Sequence, residues 1–215
     1  MSVAVPNGAI VALAAAYGTP ISITALTNAN PAVATATAHG LTNGDIIEVT
    51  SGWSRLTGKV VRVSGVTSNT FELEGIDTTS TSIYPTGGGT GSVREVTSFT
   101  QLSQILSSSS SGGEQQFLDY QFLEADAARR IPTFKNAAGL TFSVADDATQ
   151  AGYILASAAN DDRLVRAVRV TLPTGAVILY NAYISLNKTP SMTVNELMAV
   201  EVTLSLVAEV VRYAS

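Results

Sequence analysis

The chain has 215 residues, of which none is a cysteine and one is a histidine. Disulfide bonds, thiolate catalysis and cysteine-based zinc sites are therefore excluded. A nucleophilic triad usually needs histidine as its general base, and His39 lies in an Ala-His-Gly-Leu turn where a structural role is expected. These absences predict a protein that is not an enzyme and that has neither a cofactor nor a metal site.

Charge is sparse as well, because Asp, Glu, Lys and Arg make up 13% of the chain and the net charge is −5. Nucleic-acid binding by counterion release needs clustered cations, and the basic residues here are scattered. The acidic pairs Asp146–Asp147 and Asp161–Asp162 resemble metal or glycosidase carboxylates at first sight. Both pairs flank a predicted helix, so N-capping and a solvated C-terminal turn explain them better.

Long hydrophobic runs are absent. The apolar patch at 9–17 is too short to span a bilayer, and no Lys or Arg precedes it as a signal peptide requires. We therefore expect no membrane anchoring and assembly in the cytoplasm of the producing cell.

The residues that are abundant favour β-structure. Hydrophobic residues make up 46% of the chain, and 17 glycines with many Ser and Thr indicate strands and turns. Residues 200–213 alternate with almost no turn signal, which predicts one long half-buried strand. Its apolar row is Val202, Leu204, Leu206, Ala208 and Val210, and its mixed row is Glu201, Thr203, Ser205, Val207 and Glu209.

Residues 31–91 form a distinct block of short strands separated by turn clusters such as His39–Asp45. This spacing predicts a small antiparallel barrel with Trp53 packed over its core. The block ends in the glycine-rich exit 87–91, which lacks the Lys-Ser/Thr ending of a phosphate loop.

Two segments are predicted to be arms that become ordered on a neighbour. The first is an N-terminal arm within 1–30, and the second is a hairpin arm over 98–116 with a Ser-Gly tip. The hairpin arm could instead be a tolerated linker, and the N-terminus could be a poorly ordered end. The arm residues are Val3, Val5, Ile10, Val11 and Leu13 in the first, and Phe99, Leu102, Ile105, Leu106, Ser107, Ser111, Gly112 and Gly113 in the second.

The remaining pattern completes a mainly β protein. Strands are expected at 117–125, 131–135 and 140–144, and one helix at 148–160 with Ala151, Ile154, Leu155 and Ala158 at helical spacing. A hairpin follows, with strands 164–172 and 176–186 joined by a Pro-Thr-Gly turn.

The run Thr189-Pro-Ser-Met-Thr-Val-Asn-Glu-Leu-Met198, continuing through Thr203–Leu206 to Tyr213, resembles the tail tube proteins of long-tailed bacteriophages. The order of hairpin arm, strand pair, short helix and Pro-Thr-Gly hairpin is similar as well. The resemblance covers 1–30 and 92–215. It implies a β-sandwich or barrel of the tail-tube type with one flanking helix, formed by 92–215 together with a first strand in 1–30.

The block 31–91 resembles a small β-barrel module that is inserted in phage tail proteins and named after the FCCH domain of ubiquitin-activating enzymes. The residues that carry this resemblance are Ala38–Asp45 and Val66–Phe71. The resemblance implies an inserted module on the outer surface, with a stabilising or a cell-adhesive role. It implies no ubiquitin chemistry, because the chain has no cysteine.

The tail-tube resemblance implies a structural virion protein that forms hexameric rings, stacked into a hollow tube through which DNA is ejected. Its implied partners are further copies of itself, the tape-measure protein and passing DNA in the lumen, and the tail tip and terminator proteins. The polar strand face supplies the lumen candidates Glu201, Thr203, Ser205 and Glu209.

A different class stays open on the residues alone. A β-rich adhesin or glycan-binding module could use the block 31–91, although Trp53 and Tyr84 are its only candidate aromatic contacts. A hydrolase is opposed by the missing base and nucleophile.

Overall fold

A computed structural model describes residues 7–214, and these residues are mainly β. Val3 and Val5 of the predicted N-terminal arm lie outside the described residues. The elements are β1 (Ile10–Tyr17), β2 (Ile21–Ile23), β3 (Ala25–Leu26), β4 (Ala32–Thr35), β5 (Ile46–Ser51), β6 (Val60–Ser64), β7 (Thr70–Leu73), β8 (Gly91–Leu102), β9 (Ile105–Ser111), β10 (Gln115–Tyr120), β11 (Arg129–Lys135), β12 (Gly139–Ala145), α1 (Ala151–Asp162), β13 (Val165–Thr171), β14 (Val177–Ser191), β15 (Ala199–Leu206) and β16 (Val211–Tyr213).

Fourteen of these strands form one curled antiparallel sheet, and twelve of them lie in the order β3-β4-β7-β6-β5-β8-β1-β13-β14-β15-β12-β9. β2 pairs with β8 and β16 pairs with β14, while β10 and β11 form a separate two-stranded hairpin. The predicted hairpin around Pro173–Gly175 is confirmed as β13–β14, with Gly175 at φ +86 in its turn. The mainly β fold with one helix is thus the fold that the sequence predicts.

The C-terminal strand differs from its prediction. Alternate burial runs from Val200 to Leu206 as expected, but the strand ends there and β16 begins only at Val211. The amide of Val207 donates to the carbonyl of Asn181, and this contact directs the chain away from β12 towards the far end of β14. Glu209 therefore lies in the connection and not in the row of Glu201 and Ser205.

Two hydrophobic cores hold the sheet. The first joins the block 31–91 to the rest of the chain, because Phe71 and Trp53 belong to the same buried cluster as Ala167, Leu179 and Tyr213. The second cluster is built from the other strands and α1, and contains Leu13, Phe142, Ala156, Ile184 and Leu204.

The block has the predicted short antiparallel strands, and Trp53 is buried with its indole N–H donating to the carbonyl of Pro85 at 2.8 Å. Its sheet also takes in β2 and β3, which precede residue 31, and β8, which continues past residue 91 into the main body. Polar contacts link the two parts further, since buried Asn181 donates to Glu48 Oε1 and to the carbonyl of Gly58. Packing is therefore continuous across both proposed module boundaries.

The helix begins at Ala151 and buries a different face from the predicted one. Gly152, Ala156 and Ala159 are buried, whereas Ile154 is 57% exposed. A Cβ at Gly152 would lie 2.4 Å from the carbonyl oxygen of Gln101, so only small residues permit this close approach to β8. Asp147 is not the N-cap, which is Gln150; instead Asp147 accepts the amide of Thr149 in the preceding turn.

Tyr213 fastens the last strand to the block. Its hydroxyl accepts from the amide of Arg62 at 2.8 Å and donates to the carbonyl of Glu74 at 3.1 Å, and the Arg62 guanidinium lies over its ring. Burial raises the pKa of Tyr213 to about 12. The side chain of Arg62 also forms an ion pair with Glu74, and its hydrogen bonds hold the pKa of that carboxyl below its ordinary value.

We expect Tyr213→Phe to lower the free energy of unfolding by about 1–2 kcal/mol at neutral pH, because the half-buried amide of Arg62 loses its acceptor. Since the pKa is raised from 10.0 in the folded state, the tyrosine favours folding fully below pH 10 and loses this contribution as pH rises towards 12. The loss is at most about 1.4 kcal/mol per pH unit. Urea unfolding at pH 7, 10 and 11 measures both effects.

Tyr213→Phe should lower the free energy of unfolding at pH 7, and it should also reduce the further decrease in that free energy between pH 10 and pH 11. Tyr183→Phe, at an exposed position of β14, is the matched control and should change stability by less than about 0.5 kcal/mol. An alkaline slope equal to that of the unsubstituted protein would show that Tyr213 does not carry it.

Candidate assembly surface

Four neighbouring strands, β14, β15, β12 and β9, present one polar face that we call the hydroxyl face. Strand register aligns its side chains in three rows across the sheet. The rows are Asn187–Glu201–Ser143–Ser107, Ser185–Thr203–Thr141–Ser109, and Tyr183–Ser205–Gly139–Ser111. Among these residues the only charge is Glu201.

The opposite face of β14, β15 and β12 is apolar and covered, whereas β9 is exposed from Leu106 onward. Phe142, Ile184, Leu186, Val202 and Leu204 are buried there in the second core. Because side chains alternate across a strand, burial of this face fixes the hydroxyl face outward. The predicted lumen candidates Glu201, Thr203 and Ser205 share the hydroxyl face, and Glu209 does not.

Sequence reasoning missed most of this face. The Ser-Gly tip predicted over 98–116 contains Ser107, Ser109 and Ser111, and no site role is predicted from the sequence for Thr141, Ser143 or Ser185. The signal was the alternation of hydroxyl and apolar residues in 139–145 and 182–186, which marks strands with one polar side.

Within residues 7–214, the outer side of β9 and the last residues of β14 have no partner strand. β9 pairs with β12 on one side and with no strand on the other. β14 pairs with β13 only as far as Tyr183, so residues 187–191 have no partner strand on the side opposite β15. Exposed edges are templates for pairing with another chain.

The hairpin arm predicted over 98–116 is wrong in its geometry. Phe99 and Leu102 belong to β8 and pair with β1, and Leu102 is buried. Ile105 packs against the second core, and Ser107–Ser111 pair with β12. The serines form an edge strand because the backbone groups on this side of β12 are available for hydrogen bonding. Gly112 and Gly113 make the turn that follows this strand.

The hairpin that does project is β10–β11. Every residue of β11 is exposed, as are Phe117, Leu118 and Asp119 of β10. No residue of either strand belongs to the two core clusters. Exposed Phe117, Phe122, Leu123 and Phe134 on a paired hairpin give it an apolar surface without a partner in the subunit.

The N-terminal arm is also wrong for the residues that the structure describes. Ile10, Val11 and Leu13 lie in β1, a central strand between β8 and β13, and Val11 and Leu13 are buried. Four residues in succession, Val11 to Ala14, are buried, so this part of the strand is covered on both faces.

A groove lies where β15 ends and β12 begins, and we call it the basal groove. It consists of two adjoining depressions of about 550 and 490 Å³. Its walls are Ala137, Ala138, Leu206, Val207, Ala208 and Val210 on the apolar side, and Arg55, Thr57, Lys135 and Glu209 on the polar side.

The charges of the groove are mostly positive. Lys135 Nζ lies 2.7 Å from Glu209 Oε1, and Lys59 Nζ lies 3.9 Å from Glu209 Oε2. The hydrogen bond from Lys135 is the main cause of the lowered pKa of Glu209, with weaker contributions from Lys59 and Arg55. Arg55 and Lys135 line the groove together with Glu209, which gives the lining a net charge of +1 in a chain whose total is −5.

A second apolar surface lies at the other end of β15. The connection from β14, residues 192–198, is exposed throughout and is called here the Met loop. Val194 is 86% exposed and Met192 78%. The amide of Glu196 donates to the carbonyl of Thr193, and Asn195 has φ +64, so the loop is built around a turn.

His39 has the structural role that its turn predicts. Its Nε2 donates to the carbonyl of Thr67 at 3.0 Å, its Nδ1 accepts the amide of Leu41, and its ring packs edge-on against Phe71. Within residues 7–214 no cluster of three or more His, Asp or Glu side chains is arranged to hold a metal ion. No helix of this part of the chain combines the length and apolar character that crossing a bilayer requires.

Comparison with known proteins identifies the fold family. The model of the family described as phage tail tube protein, TTP, matches residues 51–215. No curated protein matches the chain. The cryo-EM structure of the anti-feeding prophage cap, a tube-terminating cap, aligns with 50% of this chain and 79% of its own at 18% identity, with a TM-score of 0.36.

A TM-score of 0.36 is too low for the cap to indicate a shared fold, so the family of this chain is assigned from the family match alone. The match begins inside the block 31–91, and the FCCH-like character of that block stays a prediction. The matched family is structural and not enzymatic, and its members are components of the virion tail. Since the match covers more than three-quarters of the residues, the chain belongs to the phage tail tube protein family.

Proposed function

We propose that copies of this chain close into hexameric rings, which stack into the hollow tail tube through which DNA is ejected. The observation that carries the proposal is the set of four strands with a hydroxyl face, an open edge along β9 and an unpaired end of β14. Strands β14, β15, β12 and β9 alternate in direction, so β9 of one copy is antiparallel to β14 of the next. Each junction would extend the sheet and remove both edges.

Six such sheets would make a barrel of about 24 strands. With a strand spacing of about 4.8 Å and a tilt of about 40°, its backbone would be roughly 50 Å across, which leaves room for duplex DNA. The hydroxyl face would line it, because the apolar face is already buried in each subunit. Hydroxyl groups and Glu201 offer DNA phosphates no cation to bind.

The remaining partners follow from a lumen of this kind. The tape-measure protein would occupy it before DNA does, and the tail tip and terminator proteins would cover the end rings, with assembly in the cytoplasm of the host bacterium. Family membership favours this structural role over a glycan-binding adhesin. The block 31–91 would lie outside the barrel, because it is far from the hydroxyl face along the order of strands.

The natural absence of cysteine allows a direct test of the lumen. In assembled tubes, Ser205→Cys should react with small N-ethylmaleimide but not with a long poly(ethylene glycol) maleimide, which enters a narrow channel only from its ends. Ser82→Cys, at an exposed position of the block, should react with both reagents. Gel mobility shifts before and after tube dissociation measure the difference, and equal reactivity of the two positions in intact tubes would contradict a lumenal hydroxyl face.

A further inference from the structure

The basal groove and the Met loop lie at opposite ends of the same strand. β15 runs from Ala199, next to the Met loop, to Leu206 in the wall of the groove. Eight residues of strand span roughly 26 Å, so a chain cannot insert its own Met loop into its own groove. A second copy in the same orientation, displaced along the strand direction, brings its Met loop to the groove of the first.

The two surfaces are complementary in charge. The loop carries one charge, Glu196, while Arg55 and Lys135 outnumber Glu209 in the groove, and Lys59 lies close to Glu209. Glu196 lies among exposed apolar side chains, and cations flank an apolar wall in the groove. Electrostatic complementarity of this kind fixes the register of a contact more than it adds affinity.

The surfaces are also complementary in apolar character. Met192, Val194, Leu197 and Met198 are more than half exposed and have no partner side chain that covers them in the subunit. Methionine adapts to irregular apolar walls such as the one formed by Ala137, Ala138, Leu206, Val207 and Val210. The turn that shapes the loop is already formed, which reduces the entropy lost on docking.

We propose that the basal groove is the receptor for the Met loop of a second copy of this chain. The contact is heterologous, with different surfaces on the two copies, so it repeats along the direction of β15. It rests on the proposed function, because in a stacked tube it joins successive rings. The projecting hairpin β10–β11 forms one wall of the receptor through Phe134 and Lys135.

Reversing the charges of Glu196 and Arg55, first singly and then together, tests whether the Met loop binds the basal groove. We expect Glu196→Lys to raise the protein concentration needed for tube formation at least about tenfold, and Arg55→Glu to do the same. The double variant should return to within about threefold of the unsubstituted protein, because the exchanged charges attract again. Light scattering and negative-stain microscopy measure assembly, and circular dichroism confirms that each variant folds.

Glu124→Lys, at the tip of β10–β11, is the matched control with the same change of charge. It should leave the assembly concentration unchanged. An effect of Glu124→Lys that Arg55→Glu rescues would mean that the hairpin tip fills the groove, and would overturn the proposal. Tubes formed by Glu196→Lys at the ordinary concentration would overturn it while leaving the proposed function intact.

A second measurement does not depend on tubes. Val194→Cys and Val207→Cys, combined in one chain, should give a ladder of disulfide-linked multimers when the concentrated protein is oxidised, and each single variant should give dimers at most. Absence of multimers above the dimer would overturn the proposal. A ladder without any tubes would instead support the contact and count against the proposed function.

Discussion

Proline at two positions of β9 should abolish tube formation without unfolding the subunit. The amide of Leu206 donates to the carbonyl of Ala138, and alternation from that pair turns the backbone groups of Gly139, Thr141 and Ser143 towards β9. Ser107, Ser109 and Ser111 therefore bond to β12, while Ser108 and Ser110 direct their N–H groups to the open edge. Ser108→Pro with Ser110→Pro removes both outward donors.

Each junction between copies would lose two hydrogen bonds, worth about 1–3 kcal/mol together, and a hexameric ring has six junctions. Proline on the outer side of an edge strand is tolerated, so the melting temperature should change by only a few degrees. Sedimentation and microscopy measure assembly, and thermal unfolding measures the fold. Alanine at the same two positions keeps the N–H groups and should assemble normally; tubes from the proline variant would show that β9 does not join a neighbour.

Phe71→Ala should destabilise the whole chain by about 3–5 kcal/mol, because its ring is fully buried in the core that spans the block and the body. The continuous core also predicts one cooperative unfolding transition, shifted as a unit by the substitution. Calorimetry and urea unfolding, followed by Trp53 fluorescence and by circular dichroism, measure this.

Phe134→Ala is the matched control, since Phe134 is 67% exposed on β11 and belongs to neither core. It should change stability by less than about 0.5 kcal/mol. Two separate transitions, with only the fluorescence transition lowered in Phe71→Ala, would show that 31–91 is an autonomous inserted module.

The sequence predicted what periodicity and turn chemistry determine locally. Alternation over 200–206, the Pro-Thr-Gly hairpin and the turns around His39 are each set by neighbouring residues, and they are present in the structure. Residues 189–213 resemble tail tube proteins, and the match to the tail tube family confirms this resemblance. Local patterns therefore predict the mainly β fold, and the family resemblance predicts the class of protein.

The errors concern contacts between distant segments. Five serines and two glycines indicate a mobile tip by composition, but β12 provides a ladder that makes Ser107–Ser111 a strand. The apolar residues of 10–17 have no detectable partner in the sequence, yet they fill a gap between β8 and β13. In the helix, the face that contains Gly152 is buried because it lies close to the backbone of Gln101 in β8. The spacing of hydrophobic residues alone predicts a different buried face.

The structure places the candidate assembly surfaces at positions that differ from the predicted arms. Wherever a strand is present between Ile10 and Ser111, the predicted arms at 1–30 and 98–116 are built into the subunit's own sheet. The open edge of β9, the hairpin β10–β11, the basal groove and the Met loop replace them as unpartnered features of the described residues. In the proposed assembly, these features and not the predicted arms would contact other copies.

Cryo-electron microscopy of the purified, concentrated protein tests most directly whether these copies join edge to edge. We predict hollow tubes of stacked six-fold rings, in which density for β9 of one subunit is continuous with that for β14 of the next and the hydroxyl face lines the channel. A protein that remains monomeric at every concentration, or tubes in which the β9 edge faces solvent, would contradict this.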